Sequence, residues 1–447
     1  MSNSVSIAVV GSGYVGLVAA ACFAEIGHHV VCVDNDESKI RTLREGRIPI
    51  HEEYLPELLS RRHANHVEFT TDLKSAAEKA QVIFIAVGTP QSRSGSADLS
   101  FVDAVATEIA RSMDGYKLIV EKSTVPVYTN EWIRRVIERN GVSQEQFDVA
   151  SNPEFLREGT AVTDTLAPDR IVAGVTSQRA EDLLRRVYGP ILGGAPTRFF
   201  ATTLETAELA KVAANAFLAT KISFINAMAE VCEASGANVR GLSEILGADP
   251  RIGESFLRAG LGFGGGCLPK DIRAFMARSA DLGVDSAAGL LREVEKINLR
   301  RRSRTADLAL ELAGGDLTEV SVCVLGAAFK PGSDDVRESP ALDVAQILHG
   351  LGAHVTVYDP VAMANAARAC PELAYADTLA EAATGASVVL LATEWAEFAT
   401  LRPSDLAGVV KHKNIIDARN ALRPELWRIA GWNYRALGVG AEASAAV

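Results

Sequence analysis

The 447-residue chain has few cysteines, few histidines, few aromatic residues and no excess of positive charge. Its six cysteines, Cys22, Cys32, Cys232, Cys267, Cys323 and Cys370, form no CxxC pair and follow no secretory signal, which argues against a disulfide framework and for a reducing cytoplasm. Four of them lie in apolar helix or strand patterns, where buried inert thiols are expected. The eight histidines show no ligand spacing, so no structural or catalytic metal is expected. Lys and Arg number 45 against 56 Asp and Glu, and the net charge of -11 argues against nucleic acid or an anionic membrane as a general partner. An anionic ligand must therefore meet a local basic cluster. The uncharged run over residues 5–24 is broken by Gly11, Gly13 and Gly16, so it reads as strand, turn and helix rather than a membrane span.

With 48% hydrophobic and 23% charged residues, the chain has the composition of a soluble globular protein, and its length exceeds one ordinary core. Short β-rich runs at 6–10, 29–33, 82–87, 118–120, 147–150 and 171–175 alternate with helical stretches, the rhythm of a parallel, doubly wound sheet. From about 204 to 246, and again from about 271 to 312, apolar residues fall at helical spacing instead. The strand pattern restarts at 320–326 and continues at 354–359, 387–393 and 414–417. Asp34 and Asp359 close corresponding strands, which suggests a repeated nucleotide-binding unit whose second copy has lost its glycine fingerprint. The expected fold is α/β: two Rossmann-like, doubly wound parallel-sheet domains, 1–203 and 313–437, joined by a helical dimerisation segment, 204–312. Residues 92–100 read as a flexible loop and 438–447 as a small-residue tail.

The fingerprint is Gly11, Ser12, Gly13, Tyr14, Val15, Gly16, placed after a strand and opening an apolar helix, with Asp34 at the end of the next strand. In that context it predicts dinucleotide binding: glycines let the backbone approach a pyrophosphate, the helix start supplies N–H donors, and Asp34 favours NAD over NADP by repelling a 2′-phosphate. VGTP at 87–90, STVP at 123–126 and NPEFLREG at 152–159 follow further strands, on the sheet edge where such folds place ligands. Lys211 and Asn215 share one helical face. Cys267 follows Gly264, Gly265 and Gly266, read as space rather than packing, and precedes Pro269 and Lys270 at a helix start. Partial positive charge there favours a thiolate. Lys330, Asp334, Asp335 and Arg337 fall in a turn-rich block, a charged surface loop or an anion clamp. Arg300, Arg301, Arg302 and Arg304 read as a solvated helix face.

In order, GSGYVG, VGTP, STVP, NPEFLREG, Lys211 with Asn215, FGGGCLPKD and FKPGSDDVRESP resemble the UDP-glucose/GDP-mannose dehydrogenase family over nearly the whole chain. The resemblance implies a four-electron oxidation of a sugar C6 alcohol, with UDP-glucose becoming UDP-glucuronate and NAD used twice in sequence at one site. It implies that Lys211 and Asn215 polarise the sugar oxygen, that a water near Thr124 and Asp271 takes the first proton, that Cys267 forms a thiohemiacetal and then a thioester, and that Glu154 assists hydrolysis. Contacts to NAD are implied for residues 11–16, Asp34, Lys39, Thr89, Thr124, Glu158, Lys270 and Arg337. Contacts to the UDP-sugar are implied for Glu154, Phe155, Leu156, Arg157, Lys211, Asn215, Arg251, Phe256, Leu257, Arg258, Ala259, Gly260, Gly264, Lys330 and Arg419. Arg251 would come from a neighbouring subunit, so a homodimer or higher homo-oligomer is implied. Many relatives carry Ser where this chain has Gly266.

Three other readings remain on the residues alone. The same chemistry on GDP-mannose or a UDP-N-acetylhexosamine uses the same motifs. A two-electron β-hydroxyacid dehydrogenase would leave Cys267 and the third domain without a task. A non-catalytic NAD or nucleotide-sugar regulator would need no set of Cys267, Lys211, Asn215 and Asp271.

Overall fold

The computed structural model describes residues 4–62, 66–92, 95–194 and 196–440. By packing, the chain divides into two compact units: residues 1–214 with 273–283, and residues 215–272 with 284–447. The division falls inside a continuous 32-residue helix, Leu204–Ser235, rather than at its start.

The first unit holds an eight-stranded sheet in the order β3-β2-β1-β4-β5-β6-β7-β8. These are β1 (Ser6–Val10), β2 (His29–Val33), β3 (Val67–Thr70), β4 (Val82–Ile85), β5 (Lys117–Glu121), β6 (Phe147–Ser151), β7 (Arg170–Gly174) and β8 (Arg198–Thr202). All pairs are parallel except the single Ser151–Gly174 contact between β6 and β7. Alternation sends Val82 and Phe84 to one buried face and Ile83 and Ile85 to the other, so β4 carries no polar side and both faces are covered by helices. On the first face Phe84 meets Phe23 of the helix Tyr14–Glu25 with ring centroids 4.8 Å apart.

The second unit holds a six-stranded, all-parallel sheet in the order β11-β10-β9-β12-β13-β14. Its strands are β9 (Ser321–Leu325), β10 (His354–Tyr358), β11 (Ala374–Tyr375), β12 (Val388–Leu391), β13 (Asn414–Asp417) and β14 (Asn433–Ala436). In both sheets the first strand lies beside the second and fourth, the arrangement of a dinucleotide-type fold. The expected repetition extends to atoms. Gly11 has φ +107° and donates to Val33 O at 2.7 Å; Gly326 has φ +110° and donates to Tyr358 O at 2.8 Å.

Within this unit, the part of Leu204–Ser235 from Asn215 onward packs along Asp285–Leu312, fastened by Ser223 Oγ donating to Val294 O at 2.7 Å. The arginine run is a solvated face only in part: Arg300 is exposed and Arg304 half-buried, but the two between them are not on the surface. Arg301 is fully buried, with Glu233 at 2.9 Å, and Arg302 is 4% exposed and reaches Asp343. Sequence spacing hides this because the carboxylates lie far away in the chain. Residues 438–440 are packed rather than loose: Gly438 N donates to Glu233 Oε1 at 2.8 Å, and Val439 bridges to Asn238. Residues 441–447 lie outside the described set.

Among the described residues, Leu204–Ser235 is long and apolar enough to cross a membrane by length and composition. Its polar side chains in the second unit are used inside the protein: Asn215 bonds Asp271, and Asn226 Oδ1 accepts from Gly260 N. The run over residues 5–24 forms β1, the glycine turn and the helix Tyr14–Glu25.

Candidate active site

The three fingerprint glycines have separate physical causes. A Cβ on Gly11 would lie 2.8 Å from Ala86 C, besides facing a positive φ, and one on Gly16 would lie 3.0 Å from Gly11 C. Those two glycines close the turn and seat the helix on it. Gly13 has nothing within 4 Å of the Cβ position, and it caps the helix Tyr14–Glu25 with no side-chain bond and no acidic residue in the first turn. This is an open, uncapped helix start that fits a pyrophosphate, and the site accommodates NAD on that ground. Val15 lies half-buried in the first turn.

Asp34 Oδ2 accepts from Ser12 N at 2.8 Å and Ser12 Oγ at 2.7 Å, and Oδ1 accepts from Asp36 N at 3.0 Å. Burial works against the ionised carboxyl, but the Ser12 bonds, with Asp36 N–H and Lys39 at 3.9 Å, outweigh it and hold the group below the usual carboxylate range. Asp34 is therefore an anion at neutral pH.

At the same sheet edge, Thr89 Oγ1 donates to Thr124 O at 2.9 Å and ties VGTP to STVP. Two buried carboxylates frame the second loop. Glu121 Oε1 accepts Ser123 N at 2.7 Å, and Glu208 accepts Tyr128 N and Asn130 N, both at 2.8 Å. Burial pushes Glu121 up to about 8 and raises Glu208 as well.

NPEFLREG follows β6. Glu154 meets Lys211 Nζ at 2.9 Å, with both side chains less than a tenth exposed, and its other oxygen accepts Leu156 N at 2.7 Å. Phe155 receives Arg170 over its ring at 4.0 Å. Arg157 is held by Asp164, while Glu158 is half-buried. Glu52, on the loop before β3, accepts Gly159 N at 2.7 Å and Ala161 N at 2.6 Å, and Tyr14 OH accepts the same Gly159 N–H at 2.7 Å. The fingerprint and the NPEFLREG turn are thereby joined.

In the second unit, Asn215 Nδ2 donates to Asp271 Oδ2 at 2.6 Å, and Lys270 Nζ lies 2.8 Å from Asp271 Oδ1. Asp271 is 2% exposed, in the first turn of the helix Leu268–Asp281, and its N–H donates to Cys267 O at 2.9 Å. Cys267 itself is exposed, whereas the other five cysteines are buried. Among the buried thiols, Cys22 and Cys32 are each pushed up to about 12, chiefly by burial.

The glycines before Cys267 do not provide empty space. A Cβ on Gly264 would overlap Glu338 O and lie 2.6 Å from Pro340 Cδ; on Gly265, at φ +83°, it would meet the Phe329 ring at 2.8 Å. On Gly266 it would lie 2.7 Å from Arg337 Nη1. The run is glycine because the backbone lies directly against residues 329 and 337–340, which leaves the thiol loop firmly seated.

Arg337 is fastened to Asp335, and Lys330 stands over the Phe329 ring. Arg419 donates to Ala392 O at 2.7 Å and Gly262 O at 3.3 Å, so it braces the approach to the glycine run. In the segment before that run, Phe256 has φ +66°, Leu257 and Ala259 are buried, Arg258 is exposed, and Gly260 lies against Ala418 O at 2.7 Å from its Cβ position. Arg251 is 87% exposed, with Asp249 at 2.6 Å. Asp359 Oδ2 accepts Ala327 N, Ala328 N and Trp395 Nε1 at 2.8, 3.0 and 3.0 Å.

Glu52, Glu121, Lys122 and Glu208 escaped notice in the sequence. The one legible signal was Glu-Lys at the end of a strand otherwise apolar before STVP.

An open glycine turn on a doubly wound sheet, with an ionised acidic residue closing the second strand and a buried lysine–carboxylate pair at the ligand edge, defines a dinucleotide-dependent dehydrogenase. Comparison with known proteins makes this specific. Residues 5–192, 205–300 and 323–424 match respectively the NAD binding, central and UDP binding domains of the UDP-glucose/GDP-mannose dehydrogenase family. The chain is 43% identical over 435 residues to UDP-glucose 6-dehydrogenase TuaD of Bacillus subtilis, covering 97% of this chain and 93% of that protein. It is 44% identical to UDP-glucose 6-dehydrogenase of Rhizobium meliloti, covering 97% and 99%. A UDP-glucose dehydrogenase structure from Pyrobaculum islandicum superposes with a TM-score of 0.89 at 37% identity, covering 98% of each chain. The chain belongs to the UDP-glucose/GDP-mannose dehydrogenase family, and its cofactor is NAD.

Proposed function

We propose that this protein oxidises UDP-glucose at C6 to UDP-glucuronate. The observation that carries the reading is near-full-length identity above 40% with proteins named for that activity. An alcohol becomes a carboxylate by loss of four electrons, and NAD supplies a hydride acceptor for each two-electron stage.

The chain's own residues supply the remainder. Lys211 and Asn215, a helical turn apart, donate to the C6 oxygen and stabilise negative charge developing on it. A water held by Asp271 takes the hydroxyl proton as the aldehyde forms. An aldehyde has no hydride to give until a nucleophile adds, so the Cys267 thiolate attacks C6 and makes a thiohemiacetal. Its oxidation leaves a thioester, which water cleaves with Glu154 accepting a proton, and the thiolate departs as the carboxylate forms. Asp271 and Glu154 are each already held by a lysine, at 2.8 and 2.9 Å, so the fold orients both carboxyl groups.

The UDP moiety is assigned to the second unit, with Lys330, Arg419 and the segment 256–260 as its contacts. Phe217, Phe224 and Val231 are 66%, 49% and 56% exposed at seven-residue intervals on Leu204–Ser235, an apolar stripe that supports a homodimer through this helix. Arg251 would then complete the partner's sugar-nucleotide site. Six cysteines without a disulfide support a cytoplasmic location.

The test is NADH formed per UDP-glucose consumed, beside Cys267→Ser. Two NADH per sugar, lost in the variant, is the expected result. One NADH would replace the thioester route with simple alcohol oxidation. None, with turnover on GDP-mannose or a UDP-N-acetylhexosamine, would move the substrate.

A further inference from the structure

Lys122 is 6% exposed, immediately after β5, and the mechanism above leaves it without a task. Its Nζ lies 3.3 Å from Asn152 Oδ1 and 3.5 Å from Asn152 O, long contacts to neutral groups. Asn152 is otherwise fully committed: its N–H donates to Glu121 O at 2.9 Å, Nδ2 donates to Val172 O at 2.8 Å, and Oδ1 also accepts the Tyr188 hydroxyl. The amide orientation is thus fixed by β7, and its oxygen is presented to the ammonium. A buried cation whose hydrogen-bond contacts go to carbonyl oxygens, with the Phe84 ring centroid 6.0 Å from its Nζ, costs stability and needs a reason.

The reason lies two residues further along. Asn152 begins the turn that carries Glu154, and Glu154 is neutralised by Lys211 at 2.9 Å. A lysine whose charge is cancelled by its own partner is a poor stabiliser of a new anion. We propose that Lys122 is a positioning residue of this site, anchoring the Asn152–Glu154 turn and giving the Glu154–Lys211 pair the net positive charge that an oxyanion on the sugar requires. The inference rests on the proposed dehydrogenation.

The groups acting on Lys122 are Glu154 beyond β6, Lys211 on Leu204–Ser235 and Cys22 on Tyr14–Glu25; Tyr188 reaches it through Asn152. Burial pulls the ammonium down to about 8, Glu154 and Cys22 oppose this, and Lys211 adds to it. Lys122 therefore loses its charge as pH rises through that region, and the site loses its net positive charge with it. Glu121 also titrates near 8, but it lies on the opposite side of the alternating strand, with Ser123 N and Glu208 as neighbours.

The experiment is the kcat–pH profile from pH 6.5 to 10 for wild type, Lys122→Arg, Lys122→Met and Glu121→Gln, with KM for UDP-glucose and melting temperature beside it. Wild type should lose kcat on the alkaline side. Lys122→Arg, which keeps its proton, should move that limb up by a pH unit or more. Lys122→Met should lower kcat at pH 7 by about tenfold or more with KM changed less than threefold. Glu121→Gln should leave the limb in place. A limb unmoved in both Lys122 variants overturns the proposal, because a purely structural lysine would lower stability and activity together without shifting it. If neither variant folds, Asn152→Asp puts a carboxylate on the ammonium and should move the limb upward; an unmoved limb again refutes it. Wild-type protein that forms no NADH from UDP-glucose sinks the functional reading instead.

Discussion

Replacing Gly264 with alanine tests whether the glycine run is packed or roomy. The added Cβ would overlap the Glu338 carbonyl oxygen and lie 2.6 Å from Pro340 Cδ. Neither atom can step aside, since one is backbone and the other belongs to a ring at the start of the helix Pro340–Gly350. Overpacking of this kind costs about 3 kcal/mol, the upper end of its usual range. The same change at Gly266 meets only the guanidinium of Arg337, whose side chain is 65% exposed and can swing away, so its cost is within ~0.5 kcal/mol. Three of the four tryptophans, Trp395, Trp427 and Trp432, lie in the second unit, so urea unfolding followed by tryptophan fluorescence reports the unit in question. With an m-value of about 2.5 kcal/mol per molar urea, Gly264→Ala should lower the midpoint by roughly 1 M and Gly266→Ala by less than ~0.2 M. Gly266→Ser should behave like Gly266→Ala. Equal midpoints for Gly264→Ala and Gly266→Ala would refute the steric argument and restore the reading of the run as open space.

Three further outcomes are expected. Glu121 has its folded pKa raised to about 8 from 4.5, so the folded state holds the extra proton and stability falls as pH rises from 4.5 through 8; Glu121→Gln should gain melting temperature relative to wild type between pH 5 and 9, and a constant difference would contradict it. Arg301→Met leaves Glu233 with one arginine partner fewer in a buried network and should cost about 3 kcal/mol, measured by the same urea titration. Phe217→Glu with Phe224→Glu places charge on the exposed stripe and should convert the assembly to monomer by light scattering, with weaker UDP-glucose binding; an unchanged mass would remove the stripe from the interface.

The two sheets were legible because their central strands are uninterrupted apolar runs, buried on both faces. β3, β8, β11 and β14 were not, and each sits at or near a sheet edge where burial is partial: β8 alternates exposed and half-buried residues and offers no apolar run. Motifs singled out side chains that the fold pairs, Lys211 with Glu154 and Asn215 with Asp271. What the motifs could not convey is whom a charged residue faces across the fold. Arg301 and Arg302 looked like surface because Glu233 and Asp343 are distant in sequence, and Glu52 looked like loop although it accepts N–H groups more than a hundred residues away. The glycines before Cys267 were visible, but glycine records only the absence of a side chain, and close backbone contact and empty space both select it.

The twin aspartates differ in what surrounds them. Asp359 spends one oxygen on three donors, including the indole of Trp395, and the other on Val361 N and Ala362 N, so this carboxylate is taken up by the protein's own donors. Asp34 carries no such indole, and its turn ends in the open Gly13. The match to an NAD binding domain accordingly falls on the first sheet, over residues 5–192. On the proposed chemistry, the reduced cofactor must leave and an oxidised one must enter while the half-finished sugar waits, and a covalent tether to Cys267 gives that sugar a residence time longer than the exchange.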